Sequence, residues 1–371
     1  MTNISYVDLS NHWKHEKQEL LEIIDEVMSN GIFVGGAIIE EFEKKVVDYL
    51  GVKHCVALNS GTDALVCAMI GFNIGPGDEV ITPPNSFIAS TAAIAHIRAI
   101  PVFADVLPDQ TIDPEKIRMA ITDKTKAIMP VHLTGRMCRM DEINAIAKEY
   151  GLVVIEDAAQ SIGSRFNGVM SGAASDIGCF STHPLKNLNA CGDGGFAVTN
   201  DDAVAAKIKS MRNHGLVDRN TVEEFGYVSR MDTIQAAILN YRIDHLDDVI
   251  AKRRSNAMLY REVLDASHLY IPDESEEYFN TFHTFVIQVD RRDELAAYLA
   301  NHGIQTAIHY PVPIHLQPAA KNLGYGLGDF EATETQSKRI LTLPINQFIS
   351  EEQVRFIADM VNSFFEDSGD E

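Results

Sequence analysis

Cysteine is scarce and unpatterned: five residues (Cys55, Cys67, Cys138, Cys179 and Cys191), widely spaced, with no C-x-x-C pair. That excludes a disulfide framework and a zinc site and leaves buried thiols in a reducing compartment, with no metal expected. Positive charge is also in deficit: 31 Lys and Arg against 53 Asp and Glu give a net charge of −22. Such a surplus repels a polyanion, so no nucleic-acid partner is expected, although a local basic site for one or two phosphates stays open. No apolar run reaches the roughly 18 residues that a bilayer-spanning helix needs. Residues 1–13 lack the apolar core of a signal peptide. Repeats and low-complexity tracts are missing too. The expectation is a soluble, cytoplasmic protein with no membrane partner, disordered only in its polar tip at 366–371.

What is present is an ordinary globular composition. Of 371 residues, 46% are hydrophobic and 23% charged, enough to build a sizeable core in about two domains. Short apolar runs at 54–58, 79–82, 100–104, 126–131 and 152–156 read as buried strands. Helical patterns at 63–72, 88–97, 114–120 and 141–150 alternate with them, the last stopped by Gly151. This alternation predicts an α/β fold with a largely parallel sheet and ligands beyond the carboxyl ends of its strands. A proline-free stretch at 232–264 is too long for a typical globular helix and predicts a connector between two domains. Beyond it, a strand at 281–289 and helices at 291–302 and 350–365 predict a smaller α/β unit.

Three segments carry candidate chemistry. Asn59-Ser60-Gly61-Thr62-Asp63 follows a strand and opens a helix, where glycine and free amides suit a phosphate. Ser60 and Asp63 equally fit a capping box. Glu156-Asp157-Ala158-Ala159-Gln160 ends an apolar strand, where a carboxylate would face a ligand or cap a loop. Lys186, in the polar turn after Phe180-Ser181-Thr182-His183-Pro184, is either a desolvated nucleophile or a solvated surface charge. A phosphate cradle, an acid and then a lysine are together what pyridoxal phosphate needs.

In order, SGTDAL, EDAAQSIG, FSTHPLKNL, GDGG and SRMDTIQAA closely resemble the motifs of the DegT/DnrJ/EryC1/StrS aminotransferases, pyridoxal-phosphate enzymes that aminate keto-sugars. The resemblance extends over about residues 5–362. It implies an aspartate-aminotransferase-like (fold type I) α/β architecture. A large cofactor-binding domain (1–240) with a mixed, mostly parallel sheet would precede a smaller C-terminal α/β domain (241–371). It further implies that Lys186 forms the Schiff base and shuttles a proton, while Asp157 pairs with the pyridine nitrogen. Gln160 would approach the ring oxygen, and Gly61, Thr62 and Ser181 would hold the phosphate. Phe87 falls where the family stacks an aromatic ring on the cofactor, and His183 lies beside the lysine as an orienting group.

Arg230 and the segment 308–315, with His309, Tyr310 and His315, fall near the substrate mouth, although 308–315 also reads as a rigid proline-rich connection. By the same resemblance the amino donor is glutamate, and the acceptor is a keto- or aldehydo-sugar, nucleotide-linked or acidic. The role is surface polysaccharide (lipopolysaccharide) or related amino-sugar biosynthesis. The implied assembly is a homodimer with shared active sites. One position departs: Val228 stands where the family usually has an Asn that reaches the neighbouring subunit's phosphate. A sister branch of sugar dehydratases has histidine in place of the lysine, so Lys186 favours transamination. A non-catalytic cofactor-binding regulator is a further alternative, which no basic face supports.

Overall fold

The computed structural model describes residues 3–366; residues 1–2 and 367–371 lie outside, and with them the polar C-terminal tip except Glu366, which is helical as the last residue of the helix Glu351–Glu366 rather than disordered. Two helices, α1 (Leu9–Asn30) and α2 (Ala37–Leu50), open the chain. Then come β1 (His54–Leu58), α3 (Gly61–Gly71), β2 (Glu79–Thr82), α4 (Ile88–His96), β3 (Ile100–Phe103) and α5 (Pro114–Ala120). The alternation continues with β4 (Thr125–Ile128), α6 (Met140–Tyr150) and β5 (Val153–Asp157). A small hairpin of β6 (Arg165–Phe166) and β7 (Val169–Met170) precedes β8 (Ile177–Ser181), β9 (Gly195–Thr199) and α7 (Asp202–Met211).

Seven strands form one sheet in the order β1-β9-β8-β5-β4-β2-β3. β9 alone in it runs antiparallel to its neighbours, and the other pairings are parallel. The reversal has a local cause. A parallel return needs a crossover, usually a helix, whereas residues 182–194 link β8 to β9 without one. The carboxyl ends of β1, β2, β5 and β8 therefore open on one edge. This is the mixed, mostly parallel sheet of an aspartate-aminotransferase-like α/β fold.

The predicted connector is two helices, α8 (Thr233–Ile243) and α9 (Leu246–Val263), broken at Asp244 and His245. The break contains neither proline nor glycine, so composition gave no sign of it. Helix α9 crosses between two cores. Leu246 and Ile250 pack with Phe42 and Phe180, whereas Ala257 and Tyr260 pack with Phe285 and Leu343. The second core is built on β11 (Phe285–Gln288) and β12 (Ile340–Leu343), which follow β10 (Tyr278–Phe279). It is covered by α10 (Arg292–Asn301) and α12 (Glu351–Glu366), with α11 (Glu331–Arg339) leading into β12. Ile4, from the opposite end of the chain, joins this core and bridges to Ile304.

All five cysteines are free; Cys55, Cys67, Cys138 and Cys179 are buried, but Cys191 is exposed, which corrects the expectation of uniform burial. Among the described residues no helix is long and apolar enough to cross a membrane.

Candidate active site

The turn from β1 into α3 sets the first wall. Ser60 caps α3, its hydroxyl accepting from the Asp63 amide at 3.1 Å. The first amides of a helix have no intrahelical partner. With Asp63 satisfied, those of Gly61 and Thr62 remain for a ligand, so capping and anion binding coexist. Gly61 cannot be replaced without movement, because a Cβ there would lie 2.7 Å from the Ser181 Cβ. This close approach brings the Ser181 hydroxyl, at the end of β8, beside the helix start.

Asp157 ends β5 and is buried. Its Oδ2 accepts from the Ser90 hydroxyl at 2.7 Å and its Oδ1 from the Ala159 amide at 3.2 Å. Burial raises its pKa, against which the Ser90 and Ala159 bonds and the Lys186 and His132 charges act. Lys186 sits on the turn after β8, closed by its own amide donating to the His183 carbonyl at 2.8 Å. Asn189 braces the turn by donating to the Pro184 carbonyl at 2.7 Å. Burial brings the Lys186 amine down to about 8, with the Asp157 charge opposing the shift.

These groups share one cavity of about 370 Å³. Gly61, Thr62, Phe87, Asp157, Gln160, Ser181, His183, Lys186, His309 and Tyr310 all line it, drawn from segments up to 249 residues apart (310 − 61). Phe87, at the start of α4, holds its ring 5.5 Å from that of Tyr310. Gln160 accepts from the Thr134 amide at 2.8 Å, which turns its NH2 toward the Tyr310 hydroxyl, 3.5 Å away. His309 meets the Thr342 hydroxyl at 2.9 Å; burial and the Lys186 charge bring it down to about 4, so it is neutral. Burial and the same lysine also lower His183.

Two expected substrate residues are not brought to the cavity of this chain. His315 is buried in a turn, its Nε2 3.0 Å from Glu334 and its ring 4.7 Å from that of Phe330. Arg230 donates to the Asn213 side chain at 3.1 Å and is absent from the cavity wall. Conversely, the wall includes Tyr6, His12, Arg253, His283, Asn346 and Gln347, which no motif announced. Arg253 is buried and donates to the carbonyls of Phe282, His283 and Ile345 at 3.1–3.3 Å, with no carboxylate partner among the described residues. Burial lowers it to about 10. Its signal in the sequence was only its place on a helix already predicted.

The model of the DegT/DnrJ/EryC1/StrS aminotransferase family matches residues 14–362. The chain belongs to that family. It is a pyridoxal-phosphate-dependent sugar aminotransferase. One relative is the Geobacillus stearothermophilus "Pleiotropic regulatory protein", 40% identical over 98% of this chain and 99% of its own. Another is the UDP-N-acetyl-3-dehydro-alpha-D-glucosamine 3-aminotransferase of Acidithiobacillus ferrooxidans, 40% identical over 97% of each chain. Among solved structures, S. venezuelae DesV in complex with a ketimine intermediate superposes with a TM-score of 0.96, at 36% identity and 99% coverage of both chains.

The donor set of this aminotransferase fits its cofactor. Helix-start amides, the Thr62 and Ser181 hydroxyls, the Phe87 ring and the Lys186 amine, lowered to about 8, line one cavity and are of the kinds that would hold a phosphate, a ring and an aldehyde. One consequence is measurable. An amine reacts when neutral, and the neutral fraction grows as pH rises through the pKa. Capture of pyridoxal phosphate by the apoenzyme is therefore expected to reach half its maximal rate near pH 8, where an ordinary lysine would wait until about 10.4. Stopped-flow absorbance against pH checks this, and a midpoint near 10 would contradict it.

Proposed function

We propose that the enzyme carries an amino group from glutamate to a keto- or aldehydo-sugar, nucleotide-linked or acidic, for surface polysaccharide or related amino-sugar biosynthesis in the cytoplasm. The observation that carries this reading is the placing of the Lys186 amine and the Asp157 carboxylate in one cavity beside an anion cradle. Bound pyridoxal phosphate supplies an aldehyde for amine exchange and an electron-withdrawing ring. Gly61, Thr62 and Ser181 hold its phosphate and Phe87 covers its ring, with Gln160 near the ring oxygen. Asp157 keeps the ring nitrogen protonated. Lys186 moves the proton on and off the substrate carbon that exchanges its nitrogen, and His183, its pKa lowered by burial and by Lys186, orients the reacting groups.

Anionic substrates must overcome a net charge of −22. Arg253 supplies a buried positive charge without a carboxylate of its own, which suits the carboxylate of glutamate or of an acidic sugar. Relatives named for UDP- and dTDP-linked amino sugars support a nucleotide-linked acceptor, and one of them is named for a 3-oxo-glucuronate. A screen of keto-sugars with glutamate, read by mass spectrometry, tests the proposal. Formation of 2-oxoglutarate together with an amino sugar supports it, and failure of every acceptor would count against it. The relative named as a regulatory protein keeps a second reading in view, in which cofactor is bound without turnover. That reading requires no glutamate-dependent 2-oxoglutarate at all.

A homodimer is the proposed assembly. Met28, Ile32, Phe33 and Val34 are exposed, as are Phe225, Tyr227 and Val228, and Val34 bridges to Asp232 near the second group. An apolar area of this kind suits a second copy of the chain. If Val228 lies opposite the partner's phosphate site, Val228→Asn adds one hydrogen bond to a charged group and tightens pyridoxal phosphate by about tenfold. Equilibrium dialysis of the apoenzyme reads this directly; unchanged affinity would mean that another donor serves that site.

A further inference from the structure

Ser90 lies 67 residues before Asp157, belongs to none of the motifs, and touches the carboxylate more closely than the Ala159 amide does. It is 1% exposed and Asp157 is 5% exposed, so the 2.7 Å contact is shielded from water. The Ser90 hydroxyl has one proton, and its other acceptor, the Phe87 carbonyl, is 3.4 Å away. The shorter bond to the charged group is the stronger. Because the Ala159 amide takes the other oxygen, two donors on two oxygens fix the plane of the carboxylate.

The geometry of α4 makes this arrangement economical. Phe87 is its cap and Ser90 comes three residues later, within the same first turn. That turn thus places an aromatic ring against the cavity and a hydroxyl against the acid behind it. Its free N-terminal end also favours negative charge nearby.

We propose that Ser90 is a positioning residue: it holds Asp157 ionised and oriented so that the carboxylate keeps the cofactor's ring nitrogen protonated. The inference rests on the Asp157 role given above. Without the hydroxyl, Oδ2 loses its donor on the buried side of the carboxylate, which both reorients and becomes easier to protonate.

The test uses the full-length apoenzyme and two ligands, pyridoxal phosphate and its 1-deaza analogue, in which carbon replaces the ring nitrogen. Affinities come from isothermal titration calorimetry. The wild type is expected to prefer pyridoxal phosphate. In Ser90→Ala that preference should shrink by about tenfold, through weaker binding of pyridoxal phosphate while the analogue is held as before. Ser90→Thr, which keeps the hydroxyl, should restore it. An unchanged preference in Ser90→Ala overturns the role of Ser90 and leaves that of Asp157 standing. Equal weakening of both ligands also overturns it, since that marks a general packing defect. A wild type that does not distinguish the two ligands sinks the Asp157 role, and the Ser90 proposal with it.

Discussion

Lys186→Ala is expected to abolish both turnover and the cofactor that borohydride can trap on the protein. Two separate losses combine. In the proposed mechanism the side chain is the amine that reaches the aldehyde, and the same nitrogen moves the proton at the carbon whose nitrogen is exchanged. Loss of proton transfer alone costs about 10²–10⁴-fold, and among the described residues no other lysine lines the cavity to replace it. Lys186→Arg separates charge from chemistry: it keeps a cation beside Asp157 but has no proton to give or take near neutral pH. It should therefore be as inactive as the alanine variant. Borohydride trapping with mass spectrometry, alongside a glutamate assay, reads both outcomes. Full activity in either variant would end the assignment of this amine.

Asp157→Asn is expected to lower kcat by about 10²–10³-fold, the usual cost of removing one preorganised electrostatic partner from a closed site. The substitution keeps the shape and still offers an oxygen to the Ser90 hydroxyl, but it carries no charge to hold a proton on the ring nitrogen. Pyridoxal phosphate should still bind in part, because the Gly61–Thr62 helix start and Ser181 lie on separate elements. Asp157→Ala is the poorer probe. It leaves the Ala159 amide without its acceptor and the Ser90 hydroxyl with only the distant Phe87 carbonyl, at about 1–3 kcal/mol, and so mixes instability with lost chemistry. Steady-state kinetics together with cofactor titration separates the two effects. Unchanged kcat in the asparagine variant would rule out the pyridinium role.

What the sequence made legible was local. Gly61, Thr62, Asp157, Gln160, Ser181 and Lys186 each lie within a few residues of a strand's carboxyl end, where an open α/β sheet gathers its ligands. Their motifs could be read before their meeting place was known. Ser90, Arg253 and His283 carry no such mark. Each is a single polar residue within an otherwise structural segment, and only the packing of α9 and the approach to β11 turns Arg253 and His283 toward the cavity, as the packing of α4 sets Ser90 against the Asp157 carboxylate. Helix α1 escaped for a related reason: of its 22 residues only His12, Leu20 and Val27 are buried, too narrow a stripe to stand out. Arg230 and His315 show the converse. Their motifs are local, but where their side chains end is decided by Asn213 and Glu334, partners 17 and 19 residues distant.

The bridge of Ile4 to Ile304 has a practical meaning for anyone handling the protein. Between that bridge and α1 the chain passes Tyr6, Val7 and Asp8 along the cavity wall, and His12 in the first turns of α1 continues it, so residues 6–12 help to form the cavity. Affinity tags and trial truncations belong at the carboxyl end, because at the amino end they would rebuild the room in which the sugar is handled.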